Sequence, residues 1–387
     1  MPSPDADFPP HLNRSMSPSL RAETPPDQPA PQGLREQVLG ILEAGQVAAL
    51  PTETVYGLAA RADDPRALER LCRLKGRNTP AGLTWHAGST AALRAFDHQR
   101  NLLARLTERN WPGPLTLVLS GVPKGLEQVA RDGWTGLRVP AHPALQSVLE
   151  AAPFPVVMTS ANKSGQPPAA DAAAVASLFG DEIALLLDSG PARIGESSTV
   201  LRVGPGRFRV LREGLLEASD LRRAAGLALG FVCTGNTCRS PMAETLARAV
   251  LARRLRGDSN PGPAGEVDPP EAYGFSTSSA GVFASTGASA AEHAIVAMKE
   301  FGLDLSAHGS KPATPELVRS WDRVYCLTRS HLESLTDSLP PARPGFLQLL
   351  DPHGADIPDP IGGSLEDYRH CARRIEECLE GRADEWL

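Results

Sequence analysis

A cysteine and an arginine six residues apart form the clearest chemical motif in the chain. Cys233 and Arg239 stand in the segment CTGNTCRS at 233–240, which has the pattern C-x5-R-S. The segment lies between a strand-like run and a helix-like run, with Ser240 suited to the helix N-cap and Pro241 to the first helical position. Backbone N–H groups in such a turn point inward, and the helix dipole adds positive potential. The segment therefore predicts a loop that binds a phosphoryl group.

The same loop has the groups needed for nucleophilic attack on phosphorus. Arg239 can hold two phosphoryl oxygens through its forked guanidinium, and the positive potential favours a thiolate at Cys233. The thiolate can attack phosphorus and form a thiophosphate intermediate. Asp359, in DIPDPIGGS at 356–364, is the candidate acid for the departing group and the later base for water. A buried structural cysteine beside an arginine is the alternative that C-x5-R alone leaves open.

The residues around this loop closely resemble the low-molecular-weight protein tyrosine phosphatase family. The resemblance covers roughly residues 230–381, through FVCTGNTCRSPMAE at 231–244, SSAGVFAS at 278–285 and DPIGGS at 359–364. It implies a cysteine-dependent phosphatase of phosphorylated proteins, without a cofactor, in a Rossmann-like domain with a parallel sheet.

The resemblance also implies a role for each residue of the loop. Cys233 would be the nucleophile, Arg239 the phosphate clamp and Asp359 the acid and base. Ser240 would hydrogen-bond the thiolate, and Asn236 would hold the shape of the loop. The other loop residues around the phosphate would be Thr234, Gly235, Thr237 and Cys238.

Two positions bear on the phosphorylated substrate, and one on redox chemistry. The loop looks most like the protein-arginine phosphatase branch, because Thr237 stands where tyrosine-specific members usually carry isoleucine. Ile361 stands where the family usually has an aromatic residue, so phosphoarginine and phosphotyrosine both stay open. The family's second loop cysteine, here Cys238, can form a reversible disulfide with Cys233, and a small packing residue is the alternative.

Several polar clusters flank strand-like runs in the first half of the chain. PTETVYGL at 51–58 directly follows a strand, TSAN at 159–162 follows another, and SSTV at 197–200 precedes one. Lys75 and Arg77 place two cations on one loop, a suitable grip for phosphate. Each cluster alone is typical of a solvated turn or a helix cap, whereas together they predict a pocket for an anion at strand ends.

The order of these clusters resembles the YrdC-type threonylcarbamoyl-AMP synthase family over about residues 35–215. The matching segments are PTETVYGL, KGR, WPGPLTLVL, LRVPAHP, TSANKSG, SSTV and VLREG. The resemblance implies the condensation of L-threonine, bicarbonate and ATP to threonylcarbamoyl-AMP and pyrophosphate. It also implies a downstream tRNA-modifying transferase complex that uses the adenylate to make threonylcarbamoyladenosine in tRNA.

The same resemblance implies two groups of binding residues. The ATP group is Lys75, Arg77, Ser160, Asn162 and Arg212. The threonine group is Thr54, His86, Arg138 and Ser198. Mg²⁺ is expected on the ATP phosphates, with no protein ligand assigned to it. The chain departs from the family at Ala81-Gly82, in place of an Asn/Lys-Pro pair, and at Trp134, where a small hydroxyl residue is more usual.

A different class of function remains open for the first half of the chain. It could be a nucleotide- or RNA-binding module without catalysis, which the altered segment at 78–83 favours. The near-neutral charge of this half, with 20 Lys and Arg against 17 Asp and Glu over residues 35–213, and its lack of alternating aromatic and basic residues disfavour RNA binding. An inactive phosphatase half is disfavoured because Cys233, Arg239 and Asp359 are all present.

The elements that must position these residues alternate between strand and helix, as in an α/β protein. The chain has 387 residues, 41% of them hydrophobic, which is enough for two packed domains. We predict a Pro-rich disordered tail at 1–32, a twisted YrdC-like α/β domain at 33–218 and the phosphatase domain at 219–387. Six cysteines, without a signal pattern or a membrane-length apolar run, predict reduced thiols in the cytoplasm.

Hydrophobic runs and their periodicity give the expected elements. Strands are predicted at 47–51, 115–119, 156–160, 183–188, 198–203, 226–232, 273–279 and 323–327. Helices are predicted at 65–74, 100–109, 143–151, 240–256, 288–301, 329–336 and 365–380.

Overall fold

The computed structural model describes residues 20–96, 100–204, 207–256, 269–340 and 344–387. The chain divides into two compact units. The first unit comprises Met1–Asp97, Asn110–Val203 and Arg209–Glu217, and the second comprises His98–Arg109, Gly204–Phe208 and Ala218–Leu387. In these described ranges, no helix is both long and apolar enough to cross a membrane.

A ten-stranded mixed sheet organises the first unit, in the order β1-β8-β2-β3-β7-β4-β6-β5-β9-β10. Its strands are β1 (Arg21–Glu23), β2 (Ala48–Leu50), β3 (Gly57–Arg61), β4 (Thr84–His86), β5 (Leu115–Ser120), β6 (Trp134–Arg138), β7 (Val156–Ser160), β8 (Leu185–Asp188), β9 (Thr199–Gly204) and β10 (Arg207–Arg212). The helices along this part of the chain are α1 (Gln32–Glu43), α2 (Pro65–Lys75), α3 (Arg100–Asn110), α4 (Pro143–Ala151) and α5 (Ala172–Phe179).

Alternating residues of the strands in this sheet enter two separate cores. On β2, Ala49 packs on the same side as α2 and α5, whereas Ala48 and Leu50 pack with α1 and α4. This two-sided burial explains why β2 and β8 form continuous apolar runs rather than an alternating pattern. Polar clusters at the strand ends are therefore held on a rigid sheet.

Helix α2 carries Lys75, one of the predicted ATP-binding residues, in its last turn. Asp64 caps the start of the helix, because its side chain accepts a hydrogen bond from the backbone N–H of Arg66 at 2.9 Å. Gly76 ends the helix in a left-handed conformation, with φ 65°. These two caps fix the position of Lys75 relative to the sheet.

The disordered tail predicted at 1–32 is wrong for its described residues. β1 pairs in parallel with β8, and the backbone N–H of Thr24 donates to the Asp188 carbonyl at 2.9 Å. Helix α1 begins at Gln32. Backbone pairing and an ion pair between Arg21 and Asp188 add this short strand to the sheet edge, so the Pro-rich composition gave no sign of it. Residues 1–19 lie outside the described part of the chain.

The second unit contains a four-stranded parallel sheet, in the order β12-β11-β13-β14. Its strands are β11 (Ala228–Cys233), β12 (Ser276–Gly281), β13 (Arg323–Cys326) and β14 (Leu347–Leu349). The helices after the first unit are α6 (Ala218–Ala225), α7 (Arg239–Arg256), α8 (Glu292–Glu300), α9 (Pro315–Arg319), α10 (Arg329–Ser338) and α11 (Leu365–Trp386).

Helices cover this parallel sheet on both faces. Phe231 and Tyr325 pack into the core formed with α7, α8 and α11. Val232 and Cys326 point the other way, into a core with residues of α9 and α10. The carboxyl end of β11 therefore emerges from the centre of a buried sheet, which is where α/β proteins of this kind bind ligands.

Candidate active sites

The C-x5-R-S segment forms the connection from β11 to α7. Cys233 is the last residue of β11 and Arg239 the first residue of α7, and their relative exposures are 2% and 4%. Asn236, between them, has a left-handed backbone with φ 52°. The loop thus curves tightly at the helix N-terminus, where backbone N–H groups and the helix dipole favour an anion.

The predicted N-cap at Ser240 is wrong, because α7 starts one residue earlier. The Ser240 hydroxyl oxygen lies 2.9 Å from Cys233 Sγ and so faces the interior of the loop rather than the free N–H groups of the helix. A thiolate can only accept a hydrogen bond, so Ser240 donates to Cys233 whenever that residue is ionised. This contact matches the role that the resemblance implied for Ser240.

Asn236 connects the loop to its surroundings through its buried amide. Nδ2 donates to the hydroxyl of Ser240 at 2.9 Å and to that of Ser279 at 2.8 Å. Oδ1 accepts from the backbone N–H of Lys311 at 2.8 Å. Such a fully bonded buried amide can hold the strained backbone at this position. Ser279 is a further residue of this network that the sequence did not single out.

Arg239 and Asp359 meet at the mouth of the loop. The Arg239 side chain donates through Nη1 to the Ile357 carbonyl at 3.1 Å, and through Nη2 it forms an ion pair with Asp359 Oδ2. The Asp359 side chain is 39% exposed, against 5% for Arg239. The predicted nucleophile, clamp and acid therefore come together, with the acid on the solvent side.

The remaining loop residues differ in their surroundings. Thr234 is exposed, while Gly235 and Thr237 are half-buried. Cys238 is buried, with its sulfur 3.4 Å from the Tyr368 hydroxyl. Cys233 and Cys238 are both free thiols in this structure.

His331 is a residue of this site that the sequence analysis missed. Its Nε2 lies 2.9 Å from the Thr234 hydroxyl, and its Nδ1 lies 2.9 Å from the Thr328 hydroxyl. Burial and then the charge of Arg239 lower the pKa of His331 to about 4, so the ring is neutral near pH 7. The available signal was its place in TRSH, just after a buried strand, where polar residues gather at the carboxyl edge of the sheet.

The lowered pKa of His331 predicts a loss of stability in acid. Between about pH 6.5 and 4 the unfolded chain binds a proton at this histidine and the folded chain does not, so unfolding becomes more favourable by up to about 3 kcal/mol as the pH falls. We expect His331→Gln to flatten this pH dependence in chemical unfolding, relative to the exposed control His370→Gln. Equal pH dependence in the two variants would contradict the prediction.

The first unit contains a cavity of about 490 Å³ on the face of the sheet that also carries α1 and α4. All four residues predicted for threonine line it: Thr54, His86, Arg138 and Ser198. Of the residues predicted for ATP, Arg77, Ser160 and Arg212 line it. Lys75 and Asn162 lie one contact behind, since Lys75 Nζ donates to the Ser160 carbonyl at 2.7 Å and to Asn162 Oδ1 at 2.8 Å.

A buried ion pair organises one side of this cavity. Arg138 Nη2 lies 2.6 Å from Glu53 Oε1 and 2.9 Å from the Thr54 hydroxyl, to which it donates. The second Glu53 oxygen accepts from the backbone N–H of Ala141 at 3.0 Å. Glu53 was part of the predicted PTETVYGL cluster, but its pairing with Arg138 across 85 residues was not foreseen.

Arg212 and Ser198 form a second hydrogen-bonded group in the cavity wall. Arg212 Nη2 donates to the carbonyl of Ser198 at 2.9 Å and to its hydroxyl at 3.1 Å. The Ser198 hydroxyl also lies 2.9 Å from that of Thr116. Burial and then the like charge of Arg138 lower the pKa of the Arg212 guanidinium. The positive charges of Arg138 and Arg212 repel each other in this cavity, and a bound anion would offset that repulsion.

His86 presents a neutral imidazole to the same cavity. Burial and then Arg138 lower its pKa to about 3. Nδ1 lies 3.1 Å from the Thr84 carbonyl, which can only accept, so Nδ1 carries the proton and Nε2 the lone pair. His86 can therefore accept a hydrogen bond from an amine or hydroxyl.

The expected Mg²⁺ has no protein site in the described ranges. No group of three or more His, Cys, Asp or Glu side chains is placed there to hold a metal ion. Glu53 lies beside the cavity, but both of its oxygens already accept hydrogen bonds. The residues present do not form a cation site of their own.

The segment at 78–83, which departs from the family pattern, is in contact with the KGR loop at 75–77. Arg77 Nη2 donates to the Ala81 carbonyl at 2.7 Å, and the backbone N–H of Gly82 donates to the Val129 carbonyl at 2.7 Å. Gly82 has a φ of 84°, in the left-handed region that glycine adopts readily. Arg77 and Gly82 both remain in the cavity wall.

Comparison with known proteins separates the chain into two matches. Residues 40–214 match the Sua5/YciO/YrdC family, described as "Telomere recombination". Residues 228–385 match the family described as low molecular weight phosphotyrosine protein phosphatase.

Named relatives exist for each half. The chain is 36% identical to the threonylcarbamoyl-AMP synthase of Pyrococcus abyssi over 195 residues. The aligned segment covers 48% of this chain and 56% of the relative. It is 35% identical to the threonylcarbamoyl-AMP synthase of Alkalilimnicola ehrlichii, covering 45% of this chain and 91% of the relative. It is 36% identical to the protein-arginine-phosphatase of Bacillus subtilis, and this alignment covers 38% of the present chain and 89% of the relative. The chain thus spans just over half the length of the Pyrococcus synthase.

Solved structures match one half at a time. The Sua5 structure of Pyrococcus abyssi aligns with a TM-score of 0.49 and 28% identity, over 56% of this chain and 71% of that one. The YwlE arginine phosphatase of Geobacillus stearothermophilus aligns with a TM-score of 0.31 and 29% identity. This alignment covers 41% of the present chain and 91% of the YwlE chain. On the sequence matches, the chain belongs both to the Sua5/YciO/YrdC family and to the low-molecular-weight phosphotyrosine protein phosphatase family, joined in one polypeptide.

Proposed function

We propose that the first unit is an L-threonylcarbamoyladenylate synthase, and that the second is a cysteine-dependent protein phosphatase. For the synthase, the observation that carries the proposal is one cavity that gathers Arg77, Arg138 and Arg212 with the neutral His86. For the phosphatase, it is the convergence of Cys233, Arg239 and Asp359 at a helix N-terminus.

The synthase reaction brings two anions together. Threonine and bicarbonate combine with loss of water to give a carbamate, whose oxygen attacks the α-phosphorus of ATP. A new carbamate oxygen–phosphorus bond forms, the bond to the bridging oxygen breaks, and pyrophosphate leaves. Clustered guanidinium groups offset the repulsion and stabilise the charge that develops on the phosphate. The reaction needs no nucleophile from the protein, and Mg²⁺ would enter with the ATP phosphates rather than on protein ligands.

Arg138 and His86 suit the threonine side of the cavity. Arg138 can hold the carboxylate while Glu53 keeps its guanidinium in place. His86 can accept a hydrogen bond from the amine or the hydroxyl, because its ring is neutral. Arg212 then faces the phosphates, with Arg77 also in the cavity wall, while Ser198 stays with the threonine group.

The lowered pKa of Lys75 predicts that ATP binding depends on pH. Burial and then the charge of Arg77 lower the pKa of Lys75 to about 8, so it is a cation below this pH and neutral above it. We expect the affinity for ATP to fall as the pH rises through about 8. Lys75→Met should bind ATP roughly 10-fold more weakly at pH 7 and lose this pH dependence, whereas the exposed control Lys124→Met should keep it.

Binding calorimetry between pH 6.5 and 9.5 distinguishes these outcomes. A wild-type affinity that stays level through pH 8, together with unchanged binding by Lys75→Met, would show that Lys75 does not act on ATP.

The phosphatase reaction proceeds in two displacements. The Cys233 thiolate attacks phosphorus while Asp359 protonates the departing nitrogen or oxygen, which leaves a thiophosphate on Cys233. Asp359 then takes a proton from water, whose oxygen displaces the sulfur and releases phosphate. Arg239 stabilises the equatorial oxygens in both steps. The phosphoryl group would compete with Asp359 for the Arg239 guanidinium and so free the carboxyl group for proton transfer.

We propose phosphoarginine as the substrate of the phosphatase. Thr237, half-buried in the loop, is smaller and more polar than the isoleucine of tyrosine-specific members and leaves room for a guanidinium-linked phosphate. The named protein-arginine-phosphatase relative supports the same substrate. Release of phosphate from phosphoarginine and phosphotyrosine peptides tests the proposal. Efficient turnover of phosphotyrosine with none of phosphoarginine would overturn it.

Pyrophosphate release from ATP tests the synthase. The proposal expects release that requires both threonine and bicarbonate. ATP or tRNA binding without such release would instead support a non-catalytic binding module. We place both reactions in the cytoplasm, where ATP is available, and expect a tRNA-modifying transferase complex to consume the adenylate.

A further inference from the structure

A second cavity, of about 420 Å³, lies at one edge of the parallel sheet, and every residue that lines it belongs to the second unit. Ala228 and Arg323, the first residues of β11 and β13, are both part of the lining. Cys233 ends β11 at the opposite edge of the sheet, roughly 17 Å along the strand at about 3.3 Å per residue. The cavity is therefore separate from the phosphatase loop, and neither proposed reaction uses it.

Guanidinium groups supply most of the charge in the lining of this cavity. Four of them come from α3, α6 and β13: Arg105, Arg109, Arg223 and Arg323. Arg223 forms an ion pair with Asp220, but this pair is exposed and therefore weak. The described lining contains two carboxylates, Glu108 and Asp322, and the latter accepts a hydrogen bond from the backbone N–H of Ala228 at 2.8 Å. Positive charge is thus in excess in the lining.

Arg105 is held in place by the carboxyl ends of two helices. Its Nε donates to the carbonyl of Ala225, the last residue of α6, at 2.7 Å, and its Nη2 donates to the carbonyl of Trp386, the last residue of α11, at 2.8 Å. These bonds fix the guanidinium without removing its charge. Burial and then the charge of Arg323 lower the pKa of Arg105 to about 10, which shows that the two cations repel each other. A bound anion would offset this repulsion.

Arg109 and Arg323 are the groups of this lining that can bind a ligand directly. Arg109 lies one turn after Arg105 on α3 and is exposed, and Arg323 is half-buried. Among the residues that the structure describes, neither guanidinium has a hydrogen-bond or ion-pair partner. A forked guanidinium without a partner can hold two oxygens of a phosphoryl group.

Glycine and alanine leave the cavity open. Gly226 and Gly274 pack backbone against backbone in the lining, since a Cβ on Gly226 would lie 2.0 Å from the Gly274 carbonyl oxygen. Ala104 and Ala224 add only methyl groups. In the described ranges no aromatic side chain belongs to the lining, so it lacks the ring on which nucleobases commonly stack. The lining therefore suits a ligand that is recognised by its negative oxygen atoms.

We propose that this arginine cavity, defined by Arg105, Arg109, Arg223 and Arg323, binds a short oligophosphate anion such as inorganic pyrophosphate. Adjacent phosphoryl groups offer several negative oxygens to the forked donors of α3 and β13. The volume of about 420 Å³ lies within the usual range for small-molecule sites, about 300–1,000 Å³. The phosphate chain of a nucleotide presents the same oxygens, so ATP is a second source of this chemistry.

Hydrogen–deuterium exchange of the full chain, followed by mass spectrometry, locates the bound anion. Pyrophosphate should slow amide exchange in the peptides that cover residues 101–109 and 222–228. Arg109→Gln and Arg323→Gln should each raise the pyrophosphate concentration for half-maximal protection at least about 10-fold, because each variant loses a charge-assisted contact. Arg319→Gln is the matched control, since it removes an exposed guanidinium of α9 outside the cavity lining. This control should leave that concentration within about 2-fold of wild type, because solvent and salt screen a distant charge.

Protection of the two peptides by pyrophosphate, with or without equal protection by ATP, supports the arginine cavity if Arg109→Gln and Arg323→Gln weaken it and Arg319→Gln does not. No protection there, protection by ATP alone, equal protection by sulfate at the same ionic strength, or equal half-maximal concentrations in all three variants overturns it. Protection of residues 233–240 in the same experiment reports on the phosphatase loop separately. Because Arg109 is exposed on α3, Arg109→Gln keeps the test valid if Arg323→Gln does not fold.

Discussion

Phosphatase turnover should fall at least about 10⁴-fold when Cys233 is replaced by serine, while inorganic phosphate still binds the loop. A serine hydroxyl is a far weaker nucleophile than a thiolate, so the first displacement is lost. The Arg239 guanidinium and the backbone N–H groups that bind phosphate are unchanged by this substitution. Hydrolysis of p-nitrophenyl phosphate measures the first effect, and calorimetry with inorganic phosphate measures the second.

Cys378→Ala is the matched control, because this buried thiol lies on α11 outside the loop. It should keep wild-type turnover per folded molecule. A Cys233→Ser protein whose turnover stays within 10-fold of wild type would show that another group attacks phosphorus.

Arg138→Met should destabilise the first unit by about 3–5 kcal/mol and remove threonine-dependent activity. The Arg138 and Glu53 side chains are 6% and 2% exposed, so removing the guanidinium leaves a carboxylate buried without its counter-charge. The double variant Glu53→Gln/Arg138→Met removes both charges and should be less destabilised than Arg138→Met alone. The single variant Glu53→Gln completes the double-mutant cycle.

Calorimetric unfolding with and without inorganic phosphate provides the measurement. Phosphate should raise the transition of the phosphatase unit, which identifies the other transition as that of the first unit. If Arg138→Met leaves that other transition in place, or if the double variant loses as much stability as the sum of the single ones, the buried pair does not contribute as described.

Strands with mostly apolar sequences were predictable, whereas β4 and β6, two of the strands that line the cavity, were not. β5 was expected because four of the five residues of LTLVL are apolar, and most of the strand is buried. β4 and β6 have the sequences TWH and WTGLR, in which one face carries Thr, His, Gly, Trp and Arg toward the cavity. β4 and β6 lack the apolar alternation by which strands are recognised, because their residues on one face serve the cavity.

The candidate site residues were identifiable by motif, but their partners were not. Cys233, Arg239 and Asp359 stand in recognisable segments, and the structure brings them together. The Glu53–Arg138 pair joins residues far apart in sequence, and no local pattern encodes such a contact. The contact of His331 with Thr234 joins residues 97 positions apart and exists only once the parallel sheet has formed.

Pyrophosphate release by the Cys233→Ser form of the full chain tests most directly whether one polypeptide holds two independent anion sites. This variant lacks the phosphatase nucleophile but keeps every group that lines the first cavity. The account predicts release that depends on threonine and bicarbonate at the wild-type rate, with threonylcarbamoyl-AMP detected by mass spectrometry. Release that ignores threonine, or no release from a folded protein that binds ATP, would contradict it.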